Sequence, residues 1–82
     1  MSQNILHVNK VNHFEKHKLY VELSNGVSGY FDLTPYLDKG VFSRLKNIDY
    51  LKKVKTDTFG ICWPEGQDLS ANTIEYELQT IA

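Results

Sequence analysis

The sequence predicts a single α+β domain over residues 1–82, with a small antiparallel sheet, short helices and a C-terminal helix. The sheet is expected as a three-stranded meander plus a second short hairpin. Three observations carry this. Residues 18–33 alternate apolar and polar with a period of two around Ser24-Asn25-Gly26, the signature of a half-buried hairpin. Residues 34–54 then change to apolar spacings of three and four, as short helices require. The last stretch repeats a strand, a turn and a helix start in Trp63-Pro64-Glu65-Gly66-Gln67-Asp68-Leu69-Ser70.

The hairpin register follows from its side chains. A two-residue Asn-Gly turn would set Leu23 against Ser28 and Val21 against Tyr30, mixing the two faces. A three-residue loop instead pairs Leu23 with Val27, Val21 with Gly29 and Leu19 with Phe31 on the buried side. The other side then pairs Tyr20 with Tyr30 and Lys18 with Asp32. Gly26 takes the left-handed position of a G1 bulge. Upstream, Ile5 to Phe14 reads as a further strand. Leu6 and Val8 share one parity and Val11 the other, so a bulge is expected near Asn9-Lys10. This irregular strand is the expected sheet edge and a candidate surface for homodimer pairing.

In Thr34-Pro35-Tyr36-Leu37-Asp38-Lys39-Gly40 the sequence offers an N-cap hydroxyl, a proline at the first helical position and a terminating glycine. Val41, Phe42 and Leu45 form the next apolar stripe, and Ile48, Leu51 and Val54 another, with Asn47 as cap between them. Val54–Asp57 and Gly60–Trp63 are expected to form the second hairpin. Ser70 N-caps a final helix with Ile74, Leu78 and Ile81 on one face, and Asp68 favours the positive end of its dipole.

Composition narrows the function classes. Cys62 is the single cysteine, so no intrachain disulfide forms. No apolar run approaches the roughly 20 residues of a membrane span, and no signal peptide is evident. A reducing, cytoplasmic setting is expected, with no membrane association. Net charge is −1 but uneven. Residues 39–55 hold Lys39, Arg44, Lys46, Lys52, Lys53 and Lys55 against Asp49, whereas residues 56–82 hold five carboxylates and no Lys or Arg. Arg44, Lys46, Lys52, Lys53 and Lys55 thus form a candidate anion- or nucleic-acid-binding patch. The plainer expectation is that this segment covers the acidic C-terminal helix.

No constellation for catalysis stands out. His13 and His17 are four apart but fall in strand and turn, which is the wrong geometry for a shared metal. Cys62 sits mid-strand, where free cysteine behaves as a small buried hydrophobe. Asp32, Asp38, Asp57, Glu65 and Asp68 occupy strand ends and helix starts, which favours turn and cap roles. The five glycines match no phosphate-cradling pattern. No enzyme activity, cofactor or metal is expected.

The hairpin with its Asn-Gly turn, Asp32-Leu33-Thr34-Pro35-Tyr36-Leu37, Gly40-Val41-Phe42 with Leu45, and Trp63-Pro64-Glu65-Gly66-Gln67-Asp68-Leu69 together resemble a bacterial family, domain-of-unknown-function family 2442. The similarity spans about residues 18–78. It implies a small α+β fold, no established activity, and a mainly structural motif at Asp32, Pro35, Trp63, Pro64, Gly66 and Asp68. Its members are often encoded beside another small protein, which implies toxin–antitoxin-like pairs. Some continue into a helix-turn-helix domain; none is expected here, the sequence ending at Ala82. The turn at Thr58-Phe59-Gly60 is shorter than the family's usual one.

The leading functional expectation is a non-catalytic protein-interaction module with a protein partner. A nucleic-acid-binding accessory protein using the 39–55 segment is the first alternative. A small ligand-binding or hydrolytic domain around Trp63 and Asp68 is the second.

Overall fold

The computed structural model describes residues 5–80. Strands β1 (Val8–Glu15), β2 (Lys18–Leu23) and β3 (Ser28–Asp32) form the meander. Two 3₁₀ segments, Thr34–Tyr36 and Gly40–Lys46, and helix α1 (Ile48–Leu51) lead to β4 (Lys55–Thr56), β5 (Gly60–Cys62) and β6 (Asp68–Ser70). Helix α2 (Ala71–Glu77) and strand β7 (Gln79–Thr80) close the described chain.

The β2–β3 register is Lys18 to Asp32, Leu19 to Phe31, Tyr20 to Tyr30 and Val21 to Gly29, as the apolar alternation requires. The Leu23 amide donates to Val27 O at 2.8 Å, the Gly26 amide donates to Leu23 O at 3.1 Å, and Gly26 sits at φ +89°. The three-residue loop with a G1 bulge is therefore present. β1 starts at Val8 and carries the expected register shift between Val8 and Lys10; a second shift falls between His13 and Glu15.

Both sheets hold one strand more than the sequence predicts. The first has the order β1-β2-β3-β7 and the second β4-β5-β6. The residues that lead into the last helix, Asp68 to Ser70, also form strand β6, antiparallel to β5, with Cys62 opposite Asp68 and Ile61 opposite Leu69. That helix spans only Ala71–Glu77. Leu78 turns to extended backbone (ψ 133°), which lets Gln79 pair with Tyr30. Ile74 is buried and Leu78 half-buried as expected, and Ile81 lies outside the described residues.

The connecting segment also differs in detail. Thr34 is not the cap: the N-cap position is Leu33, with no side-chain cap bond, and Asp32 holds the turn before it, its Oδ1 accepting from the Thr34 amide at 2.9 Å; Pro35 sits in the first 3₁₀ turn. Gly40, at φ +48°, opens the second 3₁₀ segment. Val41 is exposed, because a 3₁₀ turn advances 120° per residue and carries it away from the Leu45 face. Asn47 caps α1 by accepting from the Tyr50 amide at 3.2 Å, and Ser70 caps α2 by accepting from the Thr73 amide at 3.2 Å.

One core joins these layers. Leu19, Val21, Leu23 and Phe31 come from the inner face of the first sheet, and Ile61, Trp63 and Leu69 from the second. Leu33, Leu37, Leu45 and Leu51 fill the space between, and Ala71 and Ile74 close it from α2.

Candidate functional site

The Trp63–Ser70 stretch is a second copy of the loop at Gly26. The Trp63 amide donates to Gln67 O at 2.9 Å, the Gly66 amide to Trp63 O at 3.0 Å, and Gly66 sits at φ +101°. Pro64-Glu65-Gly66 is therefore a three-residue G1 loop joining β5 to β6. Trp63 is buried, and its indole N–H donates to Leu51 O at 2.9 Å. Trp63 shares the inner face with Ile61 and Leu69, whereas Asp68 lies opposite Cys62 on the outer face. The fold thus sets Trp63 and Asp68 on opposite sides of the sheet and does not bring them together as one site. Cys62 is half-exposed rather than buried, because it points outward between Lys55 and Asp68.

The sequence reading missed the buried polar hub beneath this loop. The Tyr50 hydroxyl donates to Gln67 Oε1 at 2.6 Å and accepts from the Glu65 amide at 2.8 Å. Gln67 Nε2 donates to Val41 O at 2.8 Å. Above it, the Arg44 guanidinium lies over the Tyr50 ring, 5.1 Å from its centroid, and binds Glu65 at 2.9 Å. The available signal was Gly66 itself: a glycine closing a three-residue loop puts Gln67 directly opposite Trp63, on the buried side.

This geometry redistributes the basic segment. Arg44 is spent on Glu65, and Lys46 lies 3.2 Å from Asp38. The segment does not cover α2, contrary to the charge-based expectation. Glu75 instead accepts from Asn25 Nδ2 at 2.7 Å, and Glu77 accepts from the Tyr36 hydroxyl at 3.0 Å. Lys52, Lys53 and Lys55 are exposed and make no ion pair among the described residues. Lys39 lies 5.5 Å from the Tyr36 ring centroid.

The carboxylates chiefly hold backbone and partners. Asp57 Oδ1 accepts from the Phe59 and Gly60 amides at 3.0 and 2.8 Å, fixing the short turn between β4 and β5. The Thr34 amide, with the Thr34 hydroxyl, holds the Asp32 carboxyl below its usual range. The Arg44 hydrogen bond does the same for Glu65. Burial, then the Glu77 carboxylate, raises the Tyr36 hydroxyl. His13 Nε2 meets Lys16 O and His17 Nε2 meets Lys46 O, so each imidazole is tied to a different backbone segment. Among the described residues, no group of three or more His, Cys, Asp or Glu is placed to hold a metal ion.

Two open hollows mark the surface. One, of about 340 Å³, is lined by Asp57, Thr58, Phe59, Asp68, Leu69 and Ser70. The other, of about 670 Å³, is lined chiefly by His7, Ser24, Asn25, Asn72 and Glu75.

The most concentrated feature is the outer face of the first sheet. Its inner face is buried, while Lys18, Tyr20, Glu22, Ser28, Tyr30 and Asp32 are half-exposed. Phe14, 48% exposed, places its ring 4.5 Å from that of Tyr30, which lies 5.9 Å from Tyr20. The register alone predicts the Tyr20–Tyr30 pair; Phe14 joins them through the second β1 bulge. The Tyr20 hydroxyl donates to Glu22 Oε2 at 2.7 Å, which raises its titration.

A small α+β domain with two antiparallel sheets, one of them open and aromatic on its outer face, is the class these features define. The family model described as "Protein of unknown function (DUF2442)" matches residues 8–80, and the chain belongs to that family. No curated protein and no solved structure matches the chain. No helix among the described residues is long and apolar enough to cross a membrane.

Proposed function

We propose that the chain is a non-catalytic protein-interaction module whose contact surface is the outer face of the first sheet. The observation that carries this is the Phe14–Tyr30–Tyr20 group on a face that the described chain leaves open. Aromatic rings beside charged side chains supply the anchors that protein interfaces favour. The side chains with chemical potential are engaged elsewhere: Asp32 and Asp57 cap turns, Glu65 holds Arg44, and the Trp63 N–H holds a backbone carbonyl. A reducing, cytoplasmic setting fits the single unpaired thiol of Cys62.

The toxin–antitoxin-like pairing implied by the family resemblance sets the first partner to test, the product of the adjacent gene. The experiment is co-purification of that product with the tagged chain and with its Phe14→Ser and Tyr30→Ser variants. The reading expects a stoichiometric partner with the wild-type chain and its loss with both variants. A partner retained by both variants at wild-type level would remove the sheet face from the proposal.

A nucleic-acid-binding accessory role is the second reading, favoured by the three lysines 52, 53 and 55 that lack carboxylate partners among the described residues. It expects binding of DNA or RNA that weakens steeply with salt, with a log–log slope near −3 on duplex DNA, about 0.9 for each neutralised phosphate. A titration at low salt without any shift would exclude it.

A further inference from the structure

We infer that the occupant of the open sheet face is a second copy of this chain, packed face to face about a twofold axis. The inference rests on the reading of that face as the contact surface and names its partner.

The charge layout of the face is self-complementary. Its side chains fall into three rows across the strands. One end row holds Glu15, Lys18 and Asp32 side by side. The middle row holds Asn12, Tyr20, Tyr30 and Gln79. The other end row holds Lys10, Glu22 and Ser28. Two lysines and three carboxylates surround an uncharged aromatic centre, so the face carries both signs. Two copies facing each other need a twofold axis lying in the plane between them. With the axis along the strands, β2 of one copy lies over β3 of the other. Lys18 then faces the second copy's Asp32, and Tyr20 faces its Tyr30. With the axis across the strands, the end rows exchange and Lys18 faces the second copy's Glu22. Both arrangements set unlike charges together and stack aromatic rings at the centre. A surface built for an acidic or a basic partner would carry one sign.

The size of the face sets the strength. Four strands at about 4.8 Å spacing and about 17 Å long present roughly 300 Å² in plan on each copy. That falls in the small class of interfaces, below about 1,200 Å² in total, where association is weak and reversible. The expected species is a monomer–dimer equilibrium and not an obligate dimer.

The test is sedimentation equilibrium of the full chain from about 0.01 to about 1 mM. The apparent mass should rise reversibly from 9.5 kDa toward twice that value. Phe14→Ser removes the exposed ring, and Lys18→Glu sets like charges together in both arrangements. Each should weaken self-association about tenfold or more while the melting transition shows a folded chain. A nitroxide on Ser28→Cys, in a Cys62→Ser background, mixed with isotope-labelled unmodified chain should broaden amides of Tyr20, Tyr30 and Gln79. A wild-type chain that stays monomeric at the highest concentration overturns the inference. So does a dimer that keeps its affinity in both variants. If the wild-type chain is monomeric yet loses the adjacent gene product on Phe14→Ser, the second copy is excluded and the interaction module stands. If the face neither self-associates nor affects any partner, both readings fall.

Discussion

Tyr50→Phe isolates the hub beneath the Trp63–Ser70 loop, because it removes one oxygen and leaves the ring volume in place. The hydroxyl has two partners, Gln67 Oε1 at 2.6 Å and the Glu65 amide at 2.8 Å. Glu65 is exposed, so water can replace the second contact. Gln67 is only 2% exposed, so its carbonyl oxygen would be left buried without a donor. An unsatisfied buried acceptor costs about 1–3 kcal/mol. A domain of this size has about 4–12 kcal/mol of total stability, so a loss near 2 kcal/mol is a large share. It corresponds to a drop in melting temperature of roughly 10 °C. Gln67→Met breaks the hub from the other side and strands the Val41 carbonyl and the Tyr50 hydroxyl. The double variant should cost less than the sum of the two by about 1 kcal/mol, since both remove the same bond. Urea unfolding followed by the fluorescence of Trp63, the single tryptophan, measures all four chains. A Tyr50→Phe cost below about 0.5 kcal/mol, or strict additivity in the double variant, would refute the hub.

Gly60→Ala should cost about 3 kcal/mol or more, because an added Cβ would run into Leu69 O and crowd the Ser70 backbone; a native-like melting curve would contradict the close approach of β5 and β6. Trp63→Ala should cost about 3–5 kcal/mol through the lost ring and the stranded Leu51 carbonyl, measured in the same urea series by circular dichroism. Asp32→Ala should cost about 1 kcal/mol at neutral pH through the lost cap. The Asp32 carboxyl titrates below its unfolded value, so its contribution is full above the ordinary carboxylate range and disappears as pH falls through the folded value. The variant's stability should therefore fall less than that of the wild type on acidification, and parallel acid limbs would exclude the cap. Tyr36 has the opposite sign: its raised hydroxyl contributes below the ordinary tyrosine value and loses that contribution at higher pH. Tyr36→Phe should flatten the alkaline limb, read by urea midpoints on either side of the ordinary value.

The hairpin was legible to the residue, because a period of two allows one register that keeps Leu19, Val21, Leu23 and Phe31 on one face. The caps at Asn47 and Ser70 were legible because each hydrogen-bonds within its own turn. The two added strands were not. β6 and β7 are three and two residues long, too short for alternation to register, and they exist because β5 and β3 offer free backbone groups beside them. The side-chain bond that holds the Thr34 turn was displaced by one choice between neighbours, Asp32 or Thr34, that propensity does not decide. The hub was hidden because Gln67 reads as a surface residue until its strand partner is known. The aromatic face was half legible: Tyr20 and Tyr30 follow from the register, while Phe14 depends on a bulge that no side-chain pattern marks.

The motif that the family resemblance implies and the proposed contact surface share only Asp32, and the structure gives a reason. Asp32 caps a turn, and Pro35 sits where a fixed φ suits the first 3₁₀ turn. Trp63 fills the core and holds Leu51 O, while Pro64 leads into the loop that Gly66 closes at positive φ. Five of the six motif positions thus answer to backbone geometry or burial, demands any chain of this fold must meet. Only Asp68 has no such use among the described hydrogen bonds and ion pairs. On the proposed reading, partner choice rests on positions the fold leaves free, and Phe14, Tyr20, Tyr30 and Lys18 are such positions, set on the outer face of a sheet whose inner face fixes the register.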